Sequence, residues 1–292
     1  MTQAHHIRVL AIDGGGTRCR IAVRRADEVV TVETGSANVS TDFDGSVWQI
    51  RQGLDALAAK LGLDPSAWSD IPAFFGLAGI TGPEIADRLK RAMPFHHIRI
   101  DDDRPAALRG ALGDRDGVIA HCGTGSFYGS RIAGEMRFSG GWGSILGDEA
   151  SAQWIGRIAL ARTLETVDGR IPHTLLAQEL LDRFGGSAGI VKFAGTARPV
   201  EFGTLAPLVT AKAQGGDALA VGVMQSGAAE IARSLPLIGW RPGLAICLTG
   251  GTGPQFEPYL PEPMRADIFA PAGEPLTGAL QLAQDLAEEI AS

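Results

Sequence analysis

The length, composition and charge of the chain set the first limits on its function. Its 292 residues are enough for one large domain or two ordinary ones, and length favours two. A hydrophobic content of 45% with 20% charged residues is ordinary for a protein with a buried core. The formal net charge of −7 argues against a nucleic-acid or anionic-membrane partner, because both favour a basic surface.

The cysteines and histidines indicate no metal centre. The chain has three cysteines, whose wide spacing fits no metal-ligand motif and is typical of a reduced, cytoplasmic protein. The pairs His5-His6 and His96-His97 have no third ligand nearby in sequence, so we interpret them as solvated or packing residues. No stretch is long enough to span a membrane, and the N-terminus lacks the layout of a signal peptide.

The first third of the chain predicts an antiparallel ribbon joined to parallel crossover units. Apolar runs on both sides of a glycine turn predict two strands, and further strands and helices follow by periodicity. The predicted strands are 7–12, 21–23, 29–32, 72–77 and 97–100. The predicted helices run from a cap at Asp44 or Ser46 to Leu61, and from Pro83 to about Met93.

The segment 11–20, AIDGGGTRCR, predicts a phosphate-binding turn. Gly14, Gly15 and Gly16 lack Cβ, so the backbone can adopt φ > 0 and approach a ligand closely. Successive N–H groups form a concave anion site there, to which Thr17 adds a hydroxyl. The carboxylate of Asp13 fits beside phosphates if Mg2+ lies between them. The alternative is a glycine hairpin in which the aspartate caps its own turn.

The remainder of the chain repeats the strand-and-glycine-turn pattern. Strands at 117–121 and 244–248 lead into glycine loops at 122–126 and 249–253, and helices are predicted at 106–112, from 147–151 to about 166, within 172–236 and at 274–290. Turns of this kind near residues 13, 123 and 250 predict two related α/β domains that face a cleft. We expect an N-terminal domain of 1–103 joined by the helix at about 274–292, and a C-terminal domain of 104–273 with a helical insert.

Three glycine loops after apolar strands are hypothesised to hold one ATP, because open α/β sheets bind ligands at such strand ends. The motif GxxxxGK[ST] and a strand-linked GxGxxG with a later acid are both missing. The first loop would take the β- and γ-phosphates, the second the γ-phosphate and the third the adenosine. Coincidence is the alternative, since the chain has 39 glycines.

Phosphoryl transfer also needs a group that accepts the proton of the attacking hydroxyl. Asp103 is the candidate, because it ends a predicted strand just before Arg104-Pro105 opens a helix. Asp101 and Asp102 compete with it, but we interpret both as helix-capping or surface charges. Asp148 follows a glycine loop at a predicted helix start, so both a capping role and a functional role are open.

These motifs resemble the BadF/BadG/BcrA/BcrD ATPase family of the sugar kinase/Hsp70/actin superfamily. The resemblance rests on IDGGGT, the aspartate at 103, CGTGS, GGWGSILGDEAS and LTGGTG in that order, which span residues 9–255. It implies two RNase H-like (actin-like ATPase) domains, each a mixed sheet flanked by helices. Within the family the motifs are most similar to those of glucosamine and N-acetylglucosamine kinases.

The resemblance implies a role for each matching position. Asp13 would hold Mg2+ through water, and Asp103 would bind the sugar and act as general base toward its 6-hydroxyl. The other implied nucleotide contacts are Gly14, Gly15, Gly16, Thr17, Gly123, Thr124, Gly125, Ser126, Gly250 and Gly251. The other implied sugar contacts are Asn38, Gly141, Trp142 and Asp148. Phe127 departs from the N-acetylglucosamine kinase pattern, which has Asn there.

The resemblance therefore implies an ATP- and Mg2+-dependent amino-sugar kinase that acts on glucosamine or N-acetylglucosamine as a cytoplasmic homodimer. One alternative is the activator ATPase of a 2-hydroxyacyl-CoA dehydratase, which holds a [4Fe–4S] cluster between subunits through cysteines. Cys19, Cys122 and Cys247 lie in or beside predicted loops or in a strand, where none is well placed for this. A second alternative is a non-catalytic sugar sensor, although regulators of that kind usually carry an N-terminal DNA-binding segment.

Overall fold

The computed structural model describes residues 7–16, 18–26 and 28–292. Nine strands are described, and they form two sheets. The strands are β1 Ile7–Gly14, β2 Cys19–Arg25, β3 Glu28–Thr34, β4 Ala73–Leu77, β5 Ile98–Asp101, β6 Gly117–Cys122, β7 Ser126–Ile132, β8 Glu135–Gly140 and β9 Ala245–Thr249.

The helices of the described residues follow in chain order. They are α1 Phe43–Leu61, α2 Pro83–Ala92, α3 Arg104–Leu112, α4 Gly143–Leu146, α5 Ala152–Val167, α6 Leu175–Phe184, α7 Ser187–Ala194, α8 Pro199–Gly203, α9 Ala206–Gln214, α10 Ala218–Leu237, α11 Glu262–Arg265 and α12 Pro275–Ala291. None of the helices in this part of the chain combines the length and apolarity that crossing a membrane requires.

The chain divides into two compact units. Unit 1 is Met1–Asp114 with Pro271–Ser292, and unit 2 is Arg115–Ala270. Unit 1 contains a five-stranded sheet in the order β3-β2-β1-β4-β5. Strands β1, β2 and β3 pair antiparallel, whereas β1, β4 and β5 run parallel. The predicted ribbon joined to parallel crossover units is therefore present.

Unit 2 repeats this topology. Its sheet has the order β8-β7-β6-β9, with β6, β7 and β8 antiparallel and β6 parallel to β9. A single parallel bridge between Ile246 and Ile268 lies beside β9. It occupies the position that β5 occupies beside β4 in unit 1. Strand β8 was not predicted, because none of its residues is buried and only two of them are large and apolar. Its turn is Ala133-Gly134, with φ of 52° and 84°. Such positive φ values at both central residues match the twist of a two-residue hairpin.

The start of α1 differs from the prediction. Asp42 is its N-cap, with a side chain that accepts the backbone N–H of Gly45 at 2.9 Å. Neither Asp44 nor Ser46 caps the helix, because the helix begins earlier, at Phe43, which packs against the core of unit 1.

The boundary between the units lies after Asp114, beyond the expected position after residue 103, because α3 packs against α12. The two helices touch backbone to backbone at glycines. A Cβ added to Gly110 would lie 2.3 Å from the carbonyl oxygen of Glu274, and one added to Gly278 would lie 2.1 Å from that of Ala106. The C-terminal helix and α3 therefore belong to the same unit.

We expect Gly278→Ala to lower the free energy of unfolding by about 2 kcal/mol or more, because the added methyl has no room between two backbones. Gly222→Ala in α10 is the matched control, since a Cβ there meets nothing within 4 Å. The control should be neutral or more stable by up to about 1 kcal/mol, as alanine favours the helix. Urea denaturation followed by circular dichroism measures both, and equal stability of the two variants would contradict the close crossing.

Candidate active site

The carboxyl ends of the parallel strands in unit 1 lie at one edge of the sheet, where α/β proteins bind ligands. Backbone hydrogen bonds tie three segments together there. Ala78 N–H donates to Gly14 O at 2.8 Å, Ala37 N–H to Gly15 O at 3.0 Å, and Val39 N–H to Ala78 O at 3.1 Å. The segment around Asn38 is thus held between the glycine turn and the loop after β4.

The glycine turn after β1 is built differently from the expectation. None of Gly14, Gly15 and Gly16 adopts a φ in the left-handed region, so that part of the interpretation is wrong. Gly14 is required by packing instead, because a Cβ there would lie 2.3 Å from Leu77 Cδ2. A Cβ on Gly16 would meet none of the described residues within 4 Å, which leaves that backbone open to a ligand. Thr17 lies outside the described residues.

Asp13 is held by an arginine that the sequence analysis missed. Arg20 lies opposite Asp13 in the β1–β2 register, and its Nε and Nη2 donate to Asp13 Oδ2 at 3.1 and 2.6 Å. The two side chains are only 14% and 16% exposed. Arg20 Nη1 also donates to the exposed Glu274. No described residue donates a hydrogen bond to Asp13 Oδ1, so this oxygen is available to a further ligand.

Asp101 and Asp102 each have a structural partner at the end of β5. Asp101 Oδ1 accepts the backbone N–H of Asp102 at 2.8 Å. Asp102 binds Arg104 through both carboxylate oxygens, at 2.9 Å from Nε and 2.6 Å from Nη2. Local hydrogen bonding thus accounts for both of the competing carboxylates.

Asp103 differs from both neighbours. It precedes α3 without capping it through its side chain, and in the described part of the chain no other side chain hydrogen-bonds its carboxylate. Burial and, to a smaller extent, the negative charges of Asp102 and Asp13 together raise the pKa of Asp103 to about 6. A carboxyl group that titrates this close to neutrality has the property required of a general base.

Asn38 uses one end of its amide to shape its own loop. Its Oδ1 accepts hydrogen bonds from Ser40 N at 3.2 Å, Ser40 Oγ at 2.9 Å and Thr41 N at 3.3 Å. No acceptor for Nδ2 is present among the described residues. The Asn38 side chain is therefore fixed in orientation and keeps a donor for a ligand.

In unit 2 the second and third glycine turns touch each other. Thr252 donates from its backbone N–H and from Oγ1 to Cys122 O, at 3.0 and 2.9 Å. Gly250 has φ of 78°, and a Cβ there would lie 2.3 Å from the same oxygen. Glycine is the residue that permits both features. The turns 123–126 and 250–253 thus form one continuous surface within this unit, whereas Gly251 is open, with nothing within 4 Å of a built Cβ.

Asp148 accepts backbone hydrogen bonds that hold the second glycine turn in place. Burial raises the pKa of Asp148, while hydrogen bonds from the backbone of Ser126 and Gly143 act in the opposite direction. The N-cap of α5 is Ser151, whose Oγ accepts Trp154 N–H at 3.3 Å, so the capping role considered for Asp148 is wrong. The carboxylate stabilises the loop conformation around Ser126.

The segment 140–146, which contains α4, is largely exposed and is tied to Asp148 through Gly143. Gly141 has φ of 76°, and the Trp142 side chain is 74% exposed. Ile145 and Leu146 are also exposed. The indole of Trp142 therefore does not pack into unit 2.

Phe127, the departure noted in the sequence, points into unit 2. It is buried and stacks on His121, with ring centroids 5.0 Å apart. An aromatic ring packed inward offers no polar contact, so this position contributes none to a ligand.

Comparison with known proteins identifies the family. The model of the BadF/BadG/BcrA/BcrD ATPase family matches residues 10–263, and the chain belongs to this family. It is 28% identical to glucosamine kinase GspK of Vibrio cholerae over 278 residues, which cover 94% of this chain and 95% of that one.

Solved structures agree with this assignment. A candidate N-acetylglucosamine kinase from Chromobacterium violaceum is 31% identical, with a TM-score of 0.82 over 96% of this chain and all of that chain. A ROK family glucokinase from Streptomyces griseus, solved with glucose and AMPPNP, shares the fold at 18% identity and a TM-score of 0.57, covering 95% of this chain and 99% of that one. The expected class, two mixed sheets flanked by helices as in the actin-like ATPases, is confirmed.

We expect Arg20→Met to lower the free energy of unfolding by about 2 kcal/mol, because it leaves the largely buried Asp13 carboxylate without its counter-ion. Glu274→Gln is the control, since it removes a partner of the same arginine whose side chain is 74% exposed. Its cost should be below about 0.5 kcal/mol. Urea denaturation compares the two, and equal losses would show that Arg20 does not act through Asp13.

Proposed function

We propose that the protein is an amino-sugar kinase that transfers the γ-phosphoryl group of ATP to the 6-hydroxyl of glucosamine or N-acetylglucosamine. The similarity to a named glucosamine kinase over 94% of this chain supports the reaction class. The observation that carries the proposal is the Asp103 carboxylate, which has a raised pKa and no side-chain partner among the described residues.

Asp103 has the properties that the proton transfer needs. It accepts the proton of the sugar hydroxyl while that oxygen forms a bond to the γ-phosphorus, and the bond from phosphorus to the β,γ-bridging oxygen breaks to release ADP. Because its pKa is about 6, the carboxylate is ionised at pH 7 and still basic enough to accept a proton. Asn38 would orient the sugar through its amide donor. Asp103 would bind the sugar hydroxyl that attacks the γ-phosphorus.

The residues of unit 1 fit a magnesium ion that is held through water. Mg2+ usually keeps several waters and binds through one or two carboxylates together with substrate phosphates. Asp13 offers one carboxylate oxygen, Oδ1, while Arg20 occupies the other. When bound, the ion would neutralise phosphate charge, and the backbone at Gly14–Gly16 and Thr17 would surround the phosphates.

Unit 2 would bind the remainder of the nucleotide. We assign phosphate contacts to Gly123, Thr124, Gly125 and Ser126, and adenosine contacts to Gly250 and Gly251. We also assign Gly141, Trp142 and Asp148 to the border of the sugar site. Asp148 would act chiefly by holding the turn at Ser126 in its binding conformation. The homodimer and the cytoplasmic location stay predictions.

The activator ATPase is the weaker alternative, because the cysteines are poorly suited to an iron–sulfur cluster. Clusters are held by thiolates. All three cysteines are buried, and burial raises the pKa of Cys19 and of Cys122 to about 12. A visible absorption band after anaerobic purification would favour this alternative, whereas ADP release that depends on the sugar would favour the kinase. Sugar binding without ADP release would favour the sensor.

We expect Asp103→Asn to lower kcat about 100-fold or more, since general-base catalysis typically contributes that much. ATP affinity should change little, because Asp103 contacts the acceptor. The assay is ADP release with ATP, Mg2+ and glucosamine, N-acetylglucosamine, N-acetylmannosamine or glucose. Asp102→Asn, which alters a carboxylate already bound to Arg104, is the matched comparison. Near-normal turnover of Asp103→Asn would rule out the assigned base.

The pH dependence provides a second prediction. The pKa of Asp103 is raised from an ordinary 3.8 to about 6, so the group stabilises the fold most below about pH 4, and this contribution is lost as the pH rises through 6. Asp103→Asn should therefore raise the free energy of unfolding by about 2 kcal/mol at pH 8 and by little near pH 4. In the wild type, kcat should fall below about pH 6. A stability gain that does not change with pH would contradict the raised pKa.

A further inference from the structure

His121 lies between the two glycine turns of unit 2, and no role assigned above uses it. It is the penultimate residue of β6, in register with Thr249 at the end of β9. Its Nδ1 lies 3.1 Å from Thr249 Oγ1. On the neighbouring strand its ring stacks on Phe127, with an interplanar angle of 23°. The imidazole is thus held by β9, which leads into the third glycine turn, and by β7, which follows the second.

The other ring nitrogen faces the second turn. A Cβ built on Gly123 would lie 3.2 Å from His121 Nε2, so the ring fills the space that a side chain at position 123 would need. Thr249 directly precedes Gly250, and His121 lies two residues before Gly123. One side chain therefore contacts the start of both turns.

The imidazole makes this contact as a neutral group. Burial lowers the pKa of His121 to about 4, so the ring carries no charge at neutral pH. A neutral imidazole has one donor and one acceptor, and a threonine hydroxyl can act as either partner. The hydrogen bond to Thr249 can thus form with either tautomer, and His121 brings no positive charge to a phosphate ligand at neutral pH.

We propose that His121 is a positioning residue of the nucleotide site, which with Thr249 fixes the spacing of the turns 123–126 and 250–253. The hydrogen bond from Thr252 N–H to Cys122 O joins the third turn to the start of the second. The hydrogen bond between His121 and Thr249 joins the two strands just before they enter those turns. This inference rests on the proposed function, because it needs these turns to bind ATP.

The test is a double-mutant cycle with a nucleotide probe. His121→Phe keeps an aromatic ring for stacking but removes Nδ1, and Thr249→Val removes the hydroxyl at constant shape. Each should raise the dissociation constant for AMPPNP with Mg2+, measured by calorimetry, about tenfold, as expected for one lost hydrogen bond. The double variant should be no weaker than either single one, because both remove the same bond.

Two further variants and a kinetic measurement separate positioning from a general loss of structure. His121→Asn should restore most of the affinity, because its amide reaches the Thr249 hydroxyl from the place of Nδ1. Thr31→Val on the exposed face of β3 should keep wild-type affinity. KM for ATP should rise in both single variants, while kcat changes less than about twofold, since the assigned base, Asp103, belongs to unit 1.

Wild-type affinity in either single variant, additive losses in the double variant, or a change confined to kcat would overturn the inference. If the wild-type protein binds AMPPNP and phosphorylates a sugar while the variants bind equally well, the positioning role alone is wrong. If the wild-type protein binds no nucleotide, the proposed function is wrong and the inference with it.

Discussion

Two arginines determine which carboxylates of unit 1 have a hydrogen-bonded counter-ion. Arg20 binds Asp13, and Arg104 binds Asp102, each through short charge-assisted hydrogen bonds. Asp103 lies close to both carboxylates and receives neither arginine, so their negative charges and its own burial raise its pKa together. The whole proposal depends on this unequal distribution of counter-ions.

The two units share one topology but place different chemical groups beside their glycine turns. In each, a parallel strand and a ribbon strand bring a glycine turn to the edge of a mixed sheet. The turn of unit 1 ends beside carboxylates, which suits a metal ion and an alcohol. The turns of unit 2 are joined through backbone contacts and the neutral His121, which suits a phosphate surface that must avoid added negative charge.

Sequence reasoning recovered the features that local patterns encode. Glycine turns after apolar strands located the three loops, and the order of strands predicted the mixed sheets. It missed Arg20, because the partner of Asp13 depends on the register across a turn whose geometry the residues do not reveal. It also missed His121, since the hydrogen bond to Thr249 joins residues 128 positions apart.

Long-range packing explains the other differences. The assignment of α3 to unit 1 follows from contacts at Gly110 and Gly278, which no local pattern connects. The cap of α1 was misplaced because Asp42, Asp44 and Ser46 are all residue types that cap helices, and the packing of Phe43 places the start after Asp42. Asp103 could be singled out by its place between a strand and Pro105, but its difference from Asp102 depends on which carboxylate Arg104 binds.

The most direct test of the account is the pKa of Asp103 itself. Carbon-13 NMR of protein labelled at the aspartate carboxyl carbons, with Asp103→Asn used to assign the resonance, measures it without substrate or nucleotide. The account predicts a titration near pH 6, about two units above that of an ordinary aspartate. A titration near pH 4 would contradict it, because Asp103 would then be no more basic than any exposed carboxylate.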